Sequence, residues 1–73
     1  MKFEDVEIRK VYEYRMGKKL VPVHITDKHT HRIIGDNLDT GREIVIYDFR
    51  KIVREIENIA EWRLHNGENS IPK

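Results

Sequence analysis

The chain has no cysteine among its 73 residues. Disulfide bridges and thiolate metal sites are therefore excluded, and a reducing compartment such as the cytoplasm is the simplest expectation. No apolar run approaches the ~18 residues that a membrane span needs. The first five residues, Met1-Lys2-Phe3-Glu4-Asp5, turn at once to acidic side chains. We therefore expect no secretion signal and no contact with a membrane.

Residues that carry catalytic chemistry or bind phosphates are also scarce. No nucleophile stands at a recognisable spacing from a base, because Ser70 lies near the end of the chain and Thr26, Thr30 and Thr40 fall in polar segments. The four glycines are isolated from one another, so no glycine-rich loop is present to hold a phosphate. We expect a protein that is not an enzyme and uses no cofactor.

Length and charge narrow the class further. A chain of this size forms one domain and buries only about 60% of the surface that its unfolded form exposes. We expect a single domain over residues 1–64, a flexible tail at 65–73, and a monomer. The net charge of +1 is too small to indicate nucleic acid by itself. Its distribution is uneven, since residues 15–32 are basic and residues 55–68 are acidic.

The clearest structural pattern lies between His31 and Phe49. Two apolar segments flank the sequence Asn37-Leu38-Asp39-Thr40-Gly41. Asp39-Thr40 suits a type I turn, and Gly41 can adopt the left-handed conformation that closes such a turn with a bulge. The pattern predicts a β-hairpin.

Two segments before this hairpin have strand patterns. In residues 6–16 the apolar parity changes near Arg9, which predicts a bent strand, with a short initial helix as the alternative. In residues 20–25 apolar side chains alternate, which predicts a half-buried strand. Pro22 has no amide proton, so this strand should lie at a sheet edge or turn that residue to an unpaired side. Residues 26–31 are polar and are expected to form a loop.

The pattern changes after Tyr47. Apolar side chains recur at spacings of three and four, at Phe49, Ile52, Val53, Ile56, Ile59 and Ala60. This spacing predicts an amphipathic helix with Asp48 at its N-cap, although Arg50 and Lys51 oppose the helix dipole. We expect an α+β fold, in which this helix covers a small antiparallel β-sheet of about four strands. The sheet either stays open or curls toward a barrel.

Cationic and apolar side chains make up the candidate partner-binding set. Its members are Arg15, Lys18, Lys19, Val21, Val23, Lys28, Arg32 and Trp62. The basic members suit phosphate groups or an acidic protein surface equally well. Trp62 follows the helical pattern, where a large side chain either caps the core or contacts a partner.

A weak metal pattern occurs at Asp27, His29 and His31. In an extended segment these alternating residues project to one side, and His24 or Asp36 would add a fourth ligand for zinc or nickel. A solvated polar loop is the favoured interpretation, because the motif is short and lacks cysteine. We therefore predict no metal site.

Part of the chain resembles a known class of small barrels. The segments Ile34-Gly35, Asp39 to Glu43 and Phe49 to Ile52 resemble the closing part of WYL-type domains, which are Sm-like modules that sense ligands or bind nucleic acid. SH3-like and Sm-like barrels share this order of strand, glycine turn, strand and short helix. The Trp-Tyr-Leu signature is absent, so no ligand site is carried over.

Over its whole length the sequence resembles the small phage-encoded inhibitors of bacterial host RNA polymerase, of the 73-residue type encoded by Xanthomonas phages. The resemblance implies a protein of the host bacterial cytoplasm that contacts the amino-terminal region of the largest polymerase subunit. It further implies inhibition of promoter-dependent initiation and promotion of antitermination. The alternative is an Sm-like or SH3-like nucleic-acid-binding module that acts through the Arg15 to Arg32 region. For polymerase, we expect contact through the Pro22 strand or this basic region, with residues 65–73 becoming ordered on binding.

Overall fold

A computed structural model describes residues 1–70, and side chains through residue 65. The elements in chain order are a first 3₁₀ turn (Phe3–Asp5), β1 (Val11–Met16), β2 (Lys19–His29), β3 (Arg32–Asn37), β4 (Glu43–Ile46), a second 3₁₀ turn (Phe49–Lys51), β5 (Ile52–Glu55) and α1 (Ile59–Ser70).

The strands form one antiparallel sheet of five strands in the order β4-β3-β2-β1-β5. The α+β class is confirmed. Within residues 1–70, β4 and β5 lie at opposite edges, so the sheet stays open and does not close into a barrel. The tail expected at 65–73 begins inside α1, and residues 71–73 lie outside the described residues.

The predicted hairpin is confirmed as β3 and β4. Asn37 Oδ1 accepts hydrogen bonds from the amides of Asp39 at 2.8 Å and Thr40 at 3.3 Å. The amide of Gly41 donates to the Asn37 carbonyl at 2.7 Å, and Gly41 has φ +77°. The glycine therefore supplies the left-handed conformation that the turn requires.

The strand that contains Pro22 is central, not at an edge. β2 pairs with β1 on one side and with β3 on the other. The Pro22 carbonyl accepts from the Leu38 amide at 2.9 Å, on the side where β3 has already ended at Asn37. Because the nitrogen of an extended residue faces the same side as its carbonyl, the missing amide proton removes no ladder bond. The edge prediction is wrong, and its alternative of an unpaired side is confirmed.

β2 also runs further than expected. Residues 26–29, predicted as part of a loop, continue the strand, and only Thr30-His31 form the turn into β3. A register shift between Ile25 and Asp27 marks a bulge at Thr26. A bulge breaks the strict alternation by which a strand is recognised in sequence.

The first strand is shorter than predicted. β1 begins only at Val11, after a bend in which Arg9 has φ +79°. Residues 3–5 form the first 3₁₀ turn, which resembles the alternative of a short initial helix. The change of apolar parity near Arg9 therefore reflects a true bend.

The main core lies on one face of the sheet. Its buried members are Val6, Tyr12, Val21, Val23, Ile25, Ile33, Ile46 and Ile52. The N-terminal segment and the second 3₁₀ turn cover this face, where the rings of Phe3 and Phe49 pack with their centroids 5.1 Å apart. A helix was expected in this position, and that prediction is wrong.

The helix lies later in the chain and on the opposite face. Residues 52–55 form β5, which pairs with β1, so the helix predicted from Asp48 does not begin until Ile59. The indole Nε1 of Trp62 donates to Glu13 Oε1 at 2.7 Å. Glu13 lies between Tyr12, a core member, and Tyr14, which packs against the core, so its side chain points to the other face. Asp48 does cap a helical turn, since its Oδ1 accepts from the Arg50 amide at 3.1 Å, but that turn is the second 3₁₀ turn.

Candidate functional site

The basic residues predicted as one region separate into two groups. Arg15, Lys18 and Lys19 surround the turn between β1 and β2, whereas Arg32 stands beside the turn between β2 and β3. β2 has 11 residues, and at about 3.3 Å per residue its two ends lie roughly 30 Å apart. The structure therefore does not bring the predicted basic region together.

Lys28 is used inside the fold. Its Nζ donates to the Val6 carbonyl at 2.6 Å and to the Phe3 carbonyl at 2.9 Å, and lies 4.3 Å from the centroid of the Phe3 ring. These contacts attach the N-terminal segment to β2. The ammonium group makes these contacts within the fold, and the partner contact expected of Lys28 stays a prediction.

Val21 and Val23 are also buried. Their exposed fractions are 5% and 0%, and both belong to the core. Their alternation with His24 and Leu20 was correctly taken as a strand signal. In the folded chain both side chains point into the main core, and the partner contact expected of them stays a prediction.

Trp62 packs against the sheet. Besides the hydrogen bond from Trp62, Glu13 Oε1 lies 3.4 Å from Arg54 Nε, and Glu13 is only 3% exposed. One hydrogen bond and one ion pair thus compensate a buried carboxylate, which is costly to bury without partners. Pro22, paired with Glu13 on the neighbouring strand, is also buried. This arrangement favours the capping role of Trp62 over a partner contact.

The metal pattern is only partly assembled. Asp27 Oδ2 and His29 Nε2 lie 3.2 Å apart on the same side of β2. Among the residues that the structure describes, no group of three or more histidine, aspartate or glutamate side chains is placed to hold a metal ion. Asp27 and His29 form an exposed pair on the surface of the sheet.

Asp48 and Arg50 form a local pair at the second 3₁₀ turn. Arg50 Nε donates to Asp48 Oδ1 at 3.0 Å, and Nη2 donates to Oδ2 at 3.3 Å. Hydrogen bonds from the Arg50 side chain and then from its amide hold the pKa of Asp48 below its ordinary value of 3.8. Burial, followed by the nearby charge of Asp48, raises the pKa of Tyr14.

The open edge of the sheet at β4 is the surface that sequence reasoning missed. Val45 is 42% exposed, and Tyr47, just beyond the strand, is 70% exposed. Val45 pairs with Ile34, and both side chains lie on the face opposite the main core. The alternation of Glu43, Val45 and Tyr47 is visible in the sequence, but nothing local indicates which strand ends at an edge.

A shallow cavity of about 240 Å³ adjoins this edge. It is lined by His29, Thr30, His31, Arg32 and Tyr47. Of the predicted binding residues, Arg32 alone lies here. A cation, an aromatic ring and an unpaired strand therefore meet at one end of the sheet.

The opposite edge is partly covered by the chain itself. The Met1 amino group donates to the Phe49 carbonyl at 3.3 Å and to the Ile52 carbonyl at 3.1 Å, beside β5. A second cavity, of about 380 Å³, lies between β5 and α1, where Asn58 Oδ1 accepts from the Glu61 amide and caps the helix. Covered backbone is less available to a partner strand, so β4 is the more accessible edge.

Comparison with protein-family models, curated proteins and solved structures finds no match to this chain. No helix within residues 1–70 has the length and apolar character to cross a membrane.

Proposed function

We propose that this chain is a non-enzymatic phage regulator that binds bacterial RNA polymerase in the host cytoplasm, inhibits promoter-dependent initiation and promotes antitermination. The resemblance of the whole sequence indicates the partner, bacterial RNA polymerase. It also indicates the expected contact, which is the amino-terminal region of the largest subunit. The observation that carries a binding role is the open edge of β4, with Tyr47 70% exposed beside it. Exposed aromatic side chains at unpaired strands are typical of protein-binding surfaces.

The positions of the other predicted binding residues support the β4 edge as the binding surface. The ammonium group of Lys28 and the indole of Trp62 stabilise the fold, and Val21 and Val23 fill its core. Arg32 alone among the predicted binding residues stands at the open edge. Arg15, Lys18 and Lys19 remain a predicted second contact at the far end of β2.

Transcription with purified bacterial RNA polymerase holoenzyme tests the proposal. The protein should reduce transcripts from a sigma-dependent promoter and, added to elongation complexes, increase read-through of an intrinsic terminator. Tyr47→Ala should weaken both effects, because it removes the most exposed aromatic side chain at the edge. Unchanged initiation and termination at a large excess of the protein would refute the proposal.

A nucleic-acid-binding module is the second candidate. The observation that favours it is the grouping of Arg15, Lys18 and Lys19 at one exposed turn. Binding through these cations should weaken steeply with salt and show little sequence preference. A gel shift at two salt concentrations, with Lys18→Glu as the weakened variant, distinguishes this function from polymerase binding.

A further inference from the structure

The backbone of β4 presents unpaired groups at the edge of the sheet. The Asn37 amide donates to the Arg42 carbonyl at 2.8 Å, and the register pairs Ile44 with Gly35. In an antiparallel ladder the bonded residues alternate, so Ile44 faces β3 while Glu43 and Val45 direct their amide and carbonyl groups outward. An extended segment of another chain can use these groups to add a sixth strand.

The side chains along this edge carry opposite charges at its two ends. Arg32 and Tyr47 stand at one end, beside the 240 Å³ cavity. Glu43 stands at the other end, paired with Asp36 on β3. Among the side chains that the structure describes, neither Arg32 nor Glu43 forms an ion pair with any other residue.

We infer that β4 binds an extended protein segment with an acidic, an apolar and a basic residue at every second position. The apolar residue is the middle one of the three. The acidic side chain enters the cavity beside Arg32 and Tyr47, the apolar one packs on Val45, and the basic one meets Glu43. Side chains two residues apart lie on one face of a strand, which sets this spacing. Arg32 lies on β3, two strand spacings or about 9.6 Å from an added sixth strand, and the cavity that it shares with Tyr47 lies between them.

The charge pattern favours a peptide over nucleic acid. A phosphate backbone carries the same charge along its whole length, so Glu43 and Asp36 would repel it at one end of the edge. A peptide segment can match both ends. The inference deepens the proposed function by giving the chemistry of the partner segment, and it can be tested without polymerase.

Selection from a displayed library of linear dodecapeptides against the immobilised protein is the test. We expect enrichment of peptides with an acidic, an apolar and a basic residue at alternate positions, in either chain direction. Failure to enrich this pattern overturns the inference. So does a selected peptide that binds more weakly than a 20-nucleotide single-stranded DNA at the same salt concentration.

Charge variants locate the contact on the protein. For a synthetic peptide of the enriched pattern, Arg32→Glu should weaken binding about tenfold or more, whereas Lys18→Glu, the same charge change at the far end of β2, should change it less than about twofold. The double variant Arg32→Glu with Glu43→Lys should instead prefer the peptide with its two charges exchanged. Equal losses for Arg32→Glu and Lys18→Glu, or no exchange of preference, contradict the inference.

A backbone variant tests strand addition directly. Val45→Pro removes an outward amide without breaking a bond to β3, and it should abolish peptide binding, while Val45→Thr keeps the amide and most of the affinity. The dispersion of the NMR chemical shifts shows whether Val45→Pro folds. If the variant does not fold, the readout is protection of the wild-type Val45 amide from hydrogen exchange in the peptide complex. An unprotected amide overturns the inference, as does pairing of β4 between two copies, seen as a dimer by sedimentation that excludes the peptide.

The inference and the proposed function can fail separately. If the protein binds polymerase but selects no peptide of this pattern, only the inference is contradicted. If it selects the peptide but does not bind polymerase, only the proposed function is contradicted.

Discussion

Lys28 holds the N-terminal segment against the sheet through its ammonium group. Its two carbonyl partners, Phe3 and Val6, lie 25 and 22 residues away in sequence. Local sequence therefore shows a basic residue in a polar segment and nothing of its partners. The same limit applies to Glu13, whose indole donor on Trp62 is 49 residues away. Charge counted along the chain predicted a basic region that the fold divides.

Replacing Lys28 with methionine tests this structural role. Lys28→Met keeps the apolar stem over Phe3 but removes the donors, so the free energy of unfolding should fall by roughly 1–3 kcal/mol. Urea denaturation followed by far-ultraviolet circular dichroism measures the change. Lys18→Met, at an exposed turn, is the matched control and should change stability by less than about 0.5 kcal/mol. Similar stability for both variants would show that the Lys28 contacts contribute little.

Asp48 should make stability dependent on acid. Its pKa is held below 3.8 in the folded chain, chiefly by hydrogen bonds from Arg50. A lowered pKa adds stability above the carboxyl's ordinary pKa of 3.8, and that contribution is lost as the pH falls from there through the folded value.

Denaturant unfolding between pH 2.5 and 6 measures this contribution. We expect Asp48→Asn to be less stable than the parent near pH 6 and to differ from it less at pH 2.5. Glu57→Gln, an exposed carboxylate without such a pair among the described contacts, serves as the control. A difference between parent and Asp48→Asn that stays constant with pH would contradict the assignment.

Among the elements, the hairpin of β3 and β4 was predictable because its signal is local. Asn37, Asp39 and Gly41 specify a turn by their own chemistry, whatever lies elsewhere in the chain. β5 was not predictable in this way. Ile52 and Ile56 are four residues apart, a spacing that fits a helical face. Ile52 begins β5 and Ile56 follows its end, and a bulge between them breaks the alternation by which a strand is recognised. Pairing with β1, a distant segment, decides between them.

Gly35 sets the approach of β3 to β2. A Cβ atom on this residue would lie 2.6 Å from Val23 Cγ1 and 2.8 Å from the His24 carbonyl oxygen. The carbonyl belongs to a central strand that cannot easily move, so Gly35→Ala should lower the free energy of unfolding by roughly 1–3 kcal/mol. Thermal unfolding of this variant beside Arg42→Ala, an exposed control, measures the effect. An unchanged melting temperature for Gly35→Ala would mean that the two strands separate more easily than their register implies.

In the molecule as a whole, the N-terminal segment and α1 cover opposite faces of the sheet, and β4 is left at an open edge. The fold class and the central hairpin were predictable from sequence, whereas Asp48 caps the second 3₁₀ turn and not the helix predicted from it. The candidate site was not, because an edge is a property of strand order and strand order depends on long-range pairing. Arg32 was included for its charge, whereas Val45 and Tyr47 gain their importance only from lying at that edge.

The proposed function requires that bacterial RNA polymerase binds this chain at the β4 edge. Amide hydrogen exchange of the protein, alone and with purified polymerase, tests both the partner and the surface in one measurement. We predict slower exchange at the Val45 amide and at Tyr47, with a smaller change at the Gly17-Lys18 turn, because an added strand would bond to the outward groups of β4. Unchanged exchange throughout, or protection confined to the β1–β2 turn, would contradict polymerase binding at the β4 edge.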